Sequence, residues 1–253
     1  MHSLATALIV FAGIFASAMA GRFIGQVLPQ HHLDDGSRDI VKLGTGLVAT
    51  IAALVLSLLI SSSKSSFDKL NDDLVQSAAR LILLDRTLAA YGPESRDVRD
   101  LIKRNSTASF ELLFSGDESK RAKLDTPQTV ARMEAIVAQI RQLSPHNDAQ
   151  HALQSRALDI ANEMATTRWL FLLQSEEPVP VALLVVLVSW LAIIFAAFGL
   201  FSPRNATVTA ALFLSALSAA GAIFLILEMN HPLGGFVRIS SAPLRSALAH
   251  LGE

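Results

Sequence analysis

Four stretches without a charged side chain, residues 3–21, 43–63, 179–201 and 207–227, constrain this chain more than any other feature. Each is 19 to 23 residues long, and about 20 apolar residues in a helix cross ~30 Å of hydrocarbon. Backbone N–H and C=O groups in lipid find no water, so a spanning segment must satisfy them internally, as a helix does. Composition agrees: 51% of the residues are hydrophobic and only 17% charged, against about 25% charged in a soluble domain. The expected fold is an all-α membrane protein with four transmembrane helices in two pairs and a helical-bundle insert between them.

The first run contains Ala18-Met19-Ala20, which resembles a leader-cleavage site. No Lys or Arg precedes it, and a leader's apolar core should be only about 7–15 residues, so a retained anchor is expected. Ser37 is a suitable N-cap for the second helix. The short segment Ser202-Pro203-Arg204-Asn205-Ala206 makes the last two helices an antiparallel hairpin. The division expected is 1–63 for the first two spans, 64–177 for a soluble bundle, 178–229 for the last two spans and 230–253 for a C-terminal tail.

The insert of 114 residues carries 15 Lys and Arg against 17 Asp and Glu. Its punctuation is helical. Gly92-Pro93 closes one helix and opens the next, with proline where its missing N–H costs little. Asp125-Thr126-Pro127 and Ser144-Pro145 repeat the cap-then-proline pattern. Phe67, Leu74, Leu81 and Leu88 recur every seventh residue, as do Leu70, Ser77, Leu84 and Tyr91, which is an a/d seam. Neither Gly nor Pro occurs from Leu47 to Tyr91, so the second span is expected to continue as one rod of about 45 residues, ~67 Å long. Val130, Met133, Val137 and Ile140 form one later stripe; Leu153, Ala157, Ile160, Met164 and Phe171 form another. The helix over 94–114 has the weakest periodicity.

Several function classes drop out. Net charge is −1, leaving no basic excess for nucleic acid. The absence of cysteine removes disulfides, thiolate metal sites and a cysteine nucleophile. No Gly-rich phosphate loop, His-Glu-x-x-His or Gly-x-Ser-x-Gly elbow is present, so neither an enzyme nor a cofactor is expected. His31, His32, Asp34 and Asp35 cluster, yet adjacent histidines point apart and nothing completes a tetrahedral site. No metal centre is expected there, and His146 and His151 read as surface residues.

Gly46, Thr50, Ala53, Ser57 and Ser61 share one face of the second helix, with Leu43, Leu47, Leu54 and Leu58 on another. Small and hydroxyl-bearing residues suit a narrow pore wall, where hydroxyls replace part of an ion's hydration. They equally suit close helix packing in lipid. Both readings stay open, and an oligomer satisfies both. Glu228 is the only acid beside the last run, where interfacial solvation is expected to reach it. With Asp34, Asp35 and Asp39 it is a candidate for a mouth or gate, and these acids favour cations. Gly21 and Gly25 form a Gly-x-x-x-Gly packing signal. Charges next to the spans, Lys64, Lys69, Arg168, Arg238 and Arg245 against Arg22, Arg38, Lys42 and Arg204, leave the orientation undecided.

A family resemblance lies in His31-His32-Leu33, Ser37-Arg38-Asp39 and the run from Val41-Lys42-Leu43-Gly44-Thr45-Gly46 through Ala53-Leu54-Val55-Leu56, with Lys64 and Phe67-Asp68 after it. Glu228, Pro232, Gly235, Ile239-Ser240 and Pro243-Leu244 complete it. The chain resembles the bacterial bestrophin-like domain, itself similar to the bestrophins. That resemblance implies a homo-oligomeric ion channel in the bacterial inner membrane, most simply a pentamer. It also implies a pore-lining second helix, and cytoplasmic termini and insert. Lipid and inorganic ions would be its partners. Asn230-His231-Pro232-Leu233-Gly234 is similar to the bestrophin Asn-Pro-Phe-Gly segment. Gly235-Phe236-Val237-Arg238 stands where calcium-gated members carry an acidic cluster, so calcium gating is not implied. The other reading is a membrane-anchored signalling or scaffolding protein whose bundle relays a conformational change.

Overall fold

The computed structural model describes residues 2–29, 35–115, 126–174, 181–203 and 205–252. Described residues form eight α-helices and no strand: α1 (His2–Val27), α2 (Asp35–Tyr91), α3 (Arg96–Leu113), α4 (Pro127–Gln142), α5 (Asp148–Gln174), α6 (Val181–Phe201), α7 (Ala206–Met229) and α8 (Ala242–His250), with a 3-10 turn at Pro93–Ser95. Of these, α1, α2, α6 and α7 are long and apolar enough to cross a membrane. Contacts divide the chain into two compact units, Met1–Ser66 with Pro178–His231, and Phe67–Glu177 with Pro232–Glu253.

In the membrane unit the closest packing is not between chain neighbours. Along α1 the buried stripe Ala7, Val10, Ile14 and Ala18 leads to Gly21 and Gly25. A Cβ on Gly21 would fall inside the Ala196 carbonyl, and one on Gly25 would stand 2.8 Å from the Leu200 carbonyl oxygen. Reciprocally, a Cβ on Gly199 would overlap the Ala18 carbonyl. Three glycines thus let the backbones of α1 and α6 meet, the gain that small residues offer where lipid supplies no hydrophobic drive. On another side of α1, Phe11 and Phe15 pack edge-on against Phe213 of α7, with centroids 5.2 and 5.6 Å away. The Arg22 guanidinium donates to the Pro203 carbonyl and the Thr209 hydroxyl, at 2.8 and 2.5 Å, tying the end of α1 to the α6–α7 turn. That turn is capped by Asn205, whose side-chain oxygen accepts from the Val208 N–H at 2.8 Å.

The second helix runs unbroken for 57 residues. It is already helical at Asp35, the first described residue after 30–34, so Ser37 lies inside the helix and is not the cap. It ends at Tyr91 because Gly92 takes φ 131°, a region that favours glycine. Pro93 then opens the 3-10 turn.

The helical unit has its own core. Leu81, Leu84 and Leu88 of α2, Val98 and Ile102 of α3, Ile136 and Ile140 of α4, and Ala157, Ile160 and Ala161 of α5 are buried together. The heptad seam is therefore covered within one chain. Ala247 and Leu251 of the C-terminal segment join this core. The segment is fastened by two polar contacts: Lys103 donates to the Leu251 carbonyl at 2.8 Å, and Asp85 accepts the Gly252 N–H at 3.3 Å. Asp85, 1% exposed, also takes two 2.8 Å hydrogen bonds from Arg99. Burial pushes the Asp85 carboxyl up, but the Arg99 and Gly252 donors outweigh it and hold the group below the usual carboxylate range.

One local expectation is corrected and another is sharpened. Helix α5 starts at Asp148, and its leading cap is the Asn147 side chain accepting from Gln150 N–H at 2.9 Å, rather than Ser144-Pro145. The weak periodicity over 94–114 conceals a well-formed amphipathic helix. In α3, Val98 and Ile102 point into the core, but its next inward positions are Asn105, Ser106 and Ser109, which line a cavity.

Candidate functional site: the exposed face of the second helix

Side chains seven apart differ by only about 20° around a helix, so Thr45, Ala52 and Leu59 share a face. All three are buried, as is Ser63. This face turns α2 into the membrane unit. Gly46, Thr50, Ala53, Ser57 and Ser61 lie on the other side and are all exposed. At Gly46 an added Cβ would meet nothing within 4 Å. Packing inside the chain therefore does not account for the small-residue stripe. Next to it Leu47, Leu54 and Leu58 are 64%, 67% and 68% exposed, leaving a broad arc of α2 without cover from the described residues of its own chain.

Stripe hydroxyls differ in what they offer. Thr50 donates to the Gly46 carbonyl at 2.9 Å. Its proton is committed, and its oxygen lone pairs are what it presents outward. Ser57 and Ser61 make no side-chain hydrogen bond among the described residues, and each can donate or accept.

Acids proposed for a mouth or gate do not share one place. Asp34, like His31 and His32, lies outside the described residues. Asp35 and Asp39 are exposed in the first turns of α2, and Asp39 faces Lys42 at 3.6 Å. Glu228 belongs to the opposite end of the span. There the Asn230 amide donates to the Ser63 hydroxyl at 3.0 Å and the Ile226 carbonyl at 2.7 Å. Ser63 lies 24 residues beyond Asp39, about 36 Å along the helix. Glu228 is 3% exposed, so the expected interfacial solvation does not reach it within one chain. Sequence reasoning missed Ser63 altogether: in the run Ser61-Ser62-Ser63, nothing local tells which serine turns inward.

Residues 12–244 match the bestrophin-like domain family. Similar solved structures are crystal structures of a bacterial bestrophin homologue from Klebsiella pneumoniae. A tryptophan-to-alanine variant matches with a TM-score of 0.72 at 15% identity, covering 99% of this chain and 97% of that one. An aspartate-to-alanine variant matches at 0.69 and 15%, covering 97% and 98%. A tyrosine-to-alanine variant matches at 0.68 and 16%, covering 95% and 97%. No curated protein matches the chain in sequence. At these identities the likeness is one of fold, and it extends over the whole chain. With four membrane-length helices, a helical insert and a family match spanning both, this chain belongs to the bestrophin-like domain family.

Proposed function

We propose that this chain is the subunit of a homo-oligomeric ion channel, most simply a pentamer in the bacterial inner membrane. In it the Gly46–Thr50–Ala53–Ser57–Ser61 face of α2 lines the axis, and the helical unit and both termini are cytoplasmic. The observation that carries this reading is the exposure of that face in a helix whose other side is buried. Lipid is a poor solvent for a row of hydroxyls, so the stripe belongs against water or against another copy of the chain. The bare leucines beside it suit a neighbouring subunit. Oxygen lone pairs at Thr50 and the acids Asp35 and Asp39 at one mouth favour cations; Asp34 would add to them. Glu228 serves as a gate candidate at the other end. In the scaffold reading a partner would meet another face of the bundle, because Leu74, Leu81 and Leu88 are buried within the chain.

Single cysteines at positions 50, 53 and 57 should react with a small charged thiol reagent and change ion flux in proteoliposomes, while cysteines at 54 and 58 should not. Lysine at position 50 should cut cation flux without loss of assembly. If all three stripe positions are inert in an intact oligomer, the second-helix pore is wrong.

A further inference from the structure

Large apolar side chains that are more than half exposed lie on the four membrane-length helices, with one exception among the described residues. Phe236 stands in the segment between α7 and α8 and is 79% exposed, more than any other large apolar side chain described. An aromatic ring left this bare outside the spans marks a surface that meets something other than water.

The segment that carries it is closed on itself. The Ile239 N–H donates to the Pro232 carbonyl at 2.9 Å, joining the two ends of the 232–239 loop, and Ile239 is buried. Within the loop, Arg238 Nε donates to the Gly235 carbonyl at 2.5 Å. That contact holds the guanidinium beside the peptide that precedes Phe236. Its other nitrogens make no hydrogen bond or ion pair among the described residues. A cation and a bare ring thus share one short loop. The surrounding chain has a single sign: residues 229–252 hold Arg238, Arg245, His231 and His250, and no acid.

The loop also starts at a defined depth. The Asn230 amide donates to the Ser63 hydroxyl at 3.0 Å, and Ser63 ends the uncharged run of α2, with Lys64 next. Residue 230 therefore stands where α2 leaves the hydrocarbon. Six residues reach at most about 20 Å, and closure of the loop shortens that reach, which keeps Phe236 close to the headgroup layer.

We propose that the 232–239 loop is a lipid anchor. Phe236 inserts among the headgroups of the adjoining leaflet, and Arg238 binds the phosphate of an anionic phospholipid. Interfacial segments combine these two features, an apolar ring that enters the boundary and a cation drawn to anionic lipid. Water would suit only Arg238 and an apolar protein pocket only Phe236, whereas a lipid headgroup with its acyl chains suits both. The proposal does not depend on ion conduction.

The test is a nitroxide on Phe236→Cys in the full-length protein in nanodiscs; the native chain has no cysteine to label in its place. Collisions with oxygen, which dissolves in lipid, and with a neutral nickel chelate, which stays in water, are read by electron paramagnetic resonance. A label on Asp159→Cys, exposed on α5, is the aqueous reference. With about one-third phosphatidylglycerol in phosphatidylcholine, the nickel-to-oxygen collision ratio at position 236 should be about threefold or more below the reference. It should rise toward the reference in pure phosphatidylcholine. Arg238→Gln keeps a donor for the Gly235 carbonyl but loses the charge, and in the mixed lipid it should give the phosphatidylcholine value. A ratio equal to the reference in both lipids would place Phe236 in water and overturn the anchor. Exclusion of both oxygen and nickel would mean that protein covers the ring, which also overturns it. A low ratio indifferent to lipid charge and to Arg238→Gln would refute the binding of an anionic headgroup.

Discussion

Arg99→Leu offers the sharpest test of how the helical unit is held together. The change leaves Asp85, 1% exposed, without the two 2.8 Å hydrogen bonds that its carboxylate accepts. Two unit charges this close attract by roughly 4–6 kcal/mol at an effective dielectric near 20. Breaking a buried pair from one side typically costs about 3–5 kcal/mol, because a desolvated charge is left behind. At ~2–4 °C per kcal/mol for a chain of this size, the melting temperature should fall by roughly 6–20 °C. Trp169 lies in α5 and Trp190 in α6, so in a Trp190→Phe background the fluorescence of Trp169 follows the helical unit alone. Asp85→Leu with Arg99→Leu should recover most of the loss, since an apolar pair carries no desolvation penalty; only the Gly252 N–H then lacks its acceptor. The pH dependence has a definite sign. Asp85 is held below its unfolded value, so its contribution is complete above about pH 4 and is lost as pH falls through the lowered folded value. In Arg99→Leu the unpaired, buried carboxyl is pushed the other way and sheds its penalty by taking up a proton. The gap between wild type and variant should therefore narrow in acid. A double variant as unstable as Arg99→Leu, or a gap that widens below pH 4, would refute the reasoning.

Gly199→Leu should push α1 and α6 apart and cost upwards of 1–3 kcal/mol, read as lost thermal stability in detergent, whereas Gly44→Ala, with nothing within 4 Å of its added Cβ, should be neutral or stabilising. Single cysteines at positions 35 and 204 should label in intact cells with an impermeant thiol reagent, and one at position 120 only after lysis; the native chain has no cysteine to confuse the readout. Native mass spectrometry from mild detergent should give one dominant oligomer of five subunits, and a stable monomer in both detergent and nanodiscs would count against the channel.

The membrane-crossing helices were legible in the sequence because hydropathy over some twenty residues is a local property, indifferent to what the helix later meets. Gly92-Pro93 was legible for the same reason: φ 131° at Gly92 and proline in the next turn are demands of the backbone itself. The heptad seam was also plain, since Leu74, Leu81 and Leu88 could only be buried. The apolar pattern breaks at Asn105, Ser106 and Ser109 although the helix is well formed there; these half-buried polar residues line a cavity, and periodicity alone cannot tell that from a solvated face.

Which surfaces meet was decided only in three dimensions. The glycines of α1 announced close packing, but their partner, the Ala196–Leu200 stretch of α6, lies far away in sequence. By sequence the stripe through Thr50 suits packing or an open face equally; within the single chain it is the opposite stripe, Thr45, Ala52 and Leu59, that is turned inward. Glu228 read as an interfacial carboxylate, yet it is buried, at the end of the span opposite Asp35 and Asp39. The amino-acid sequence determined the number, length and polarity of the helices, because these follow from each residue's own side chain. The tertiary structure decided which face of each helix is used, because that depends on pairs of residues that meet only once the chain is folded.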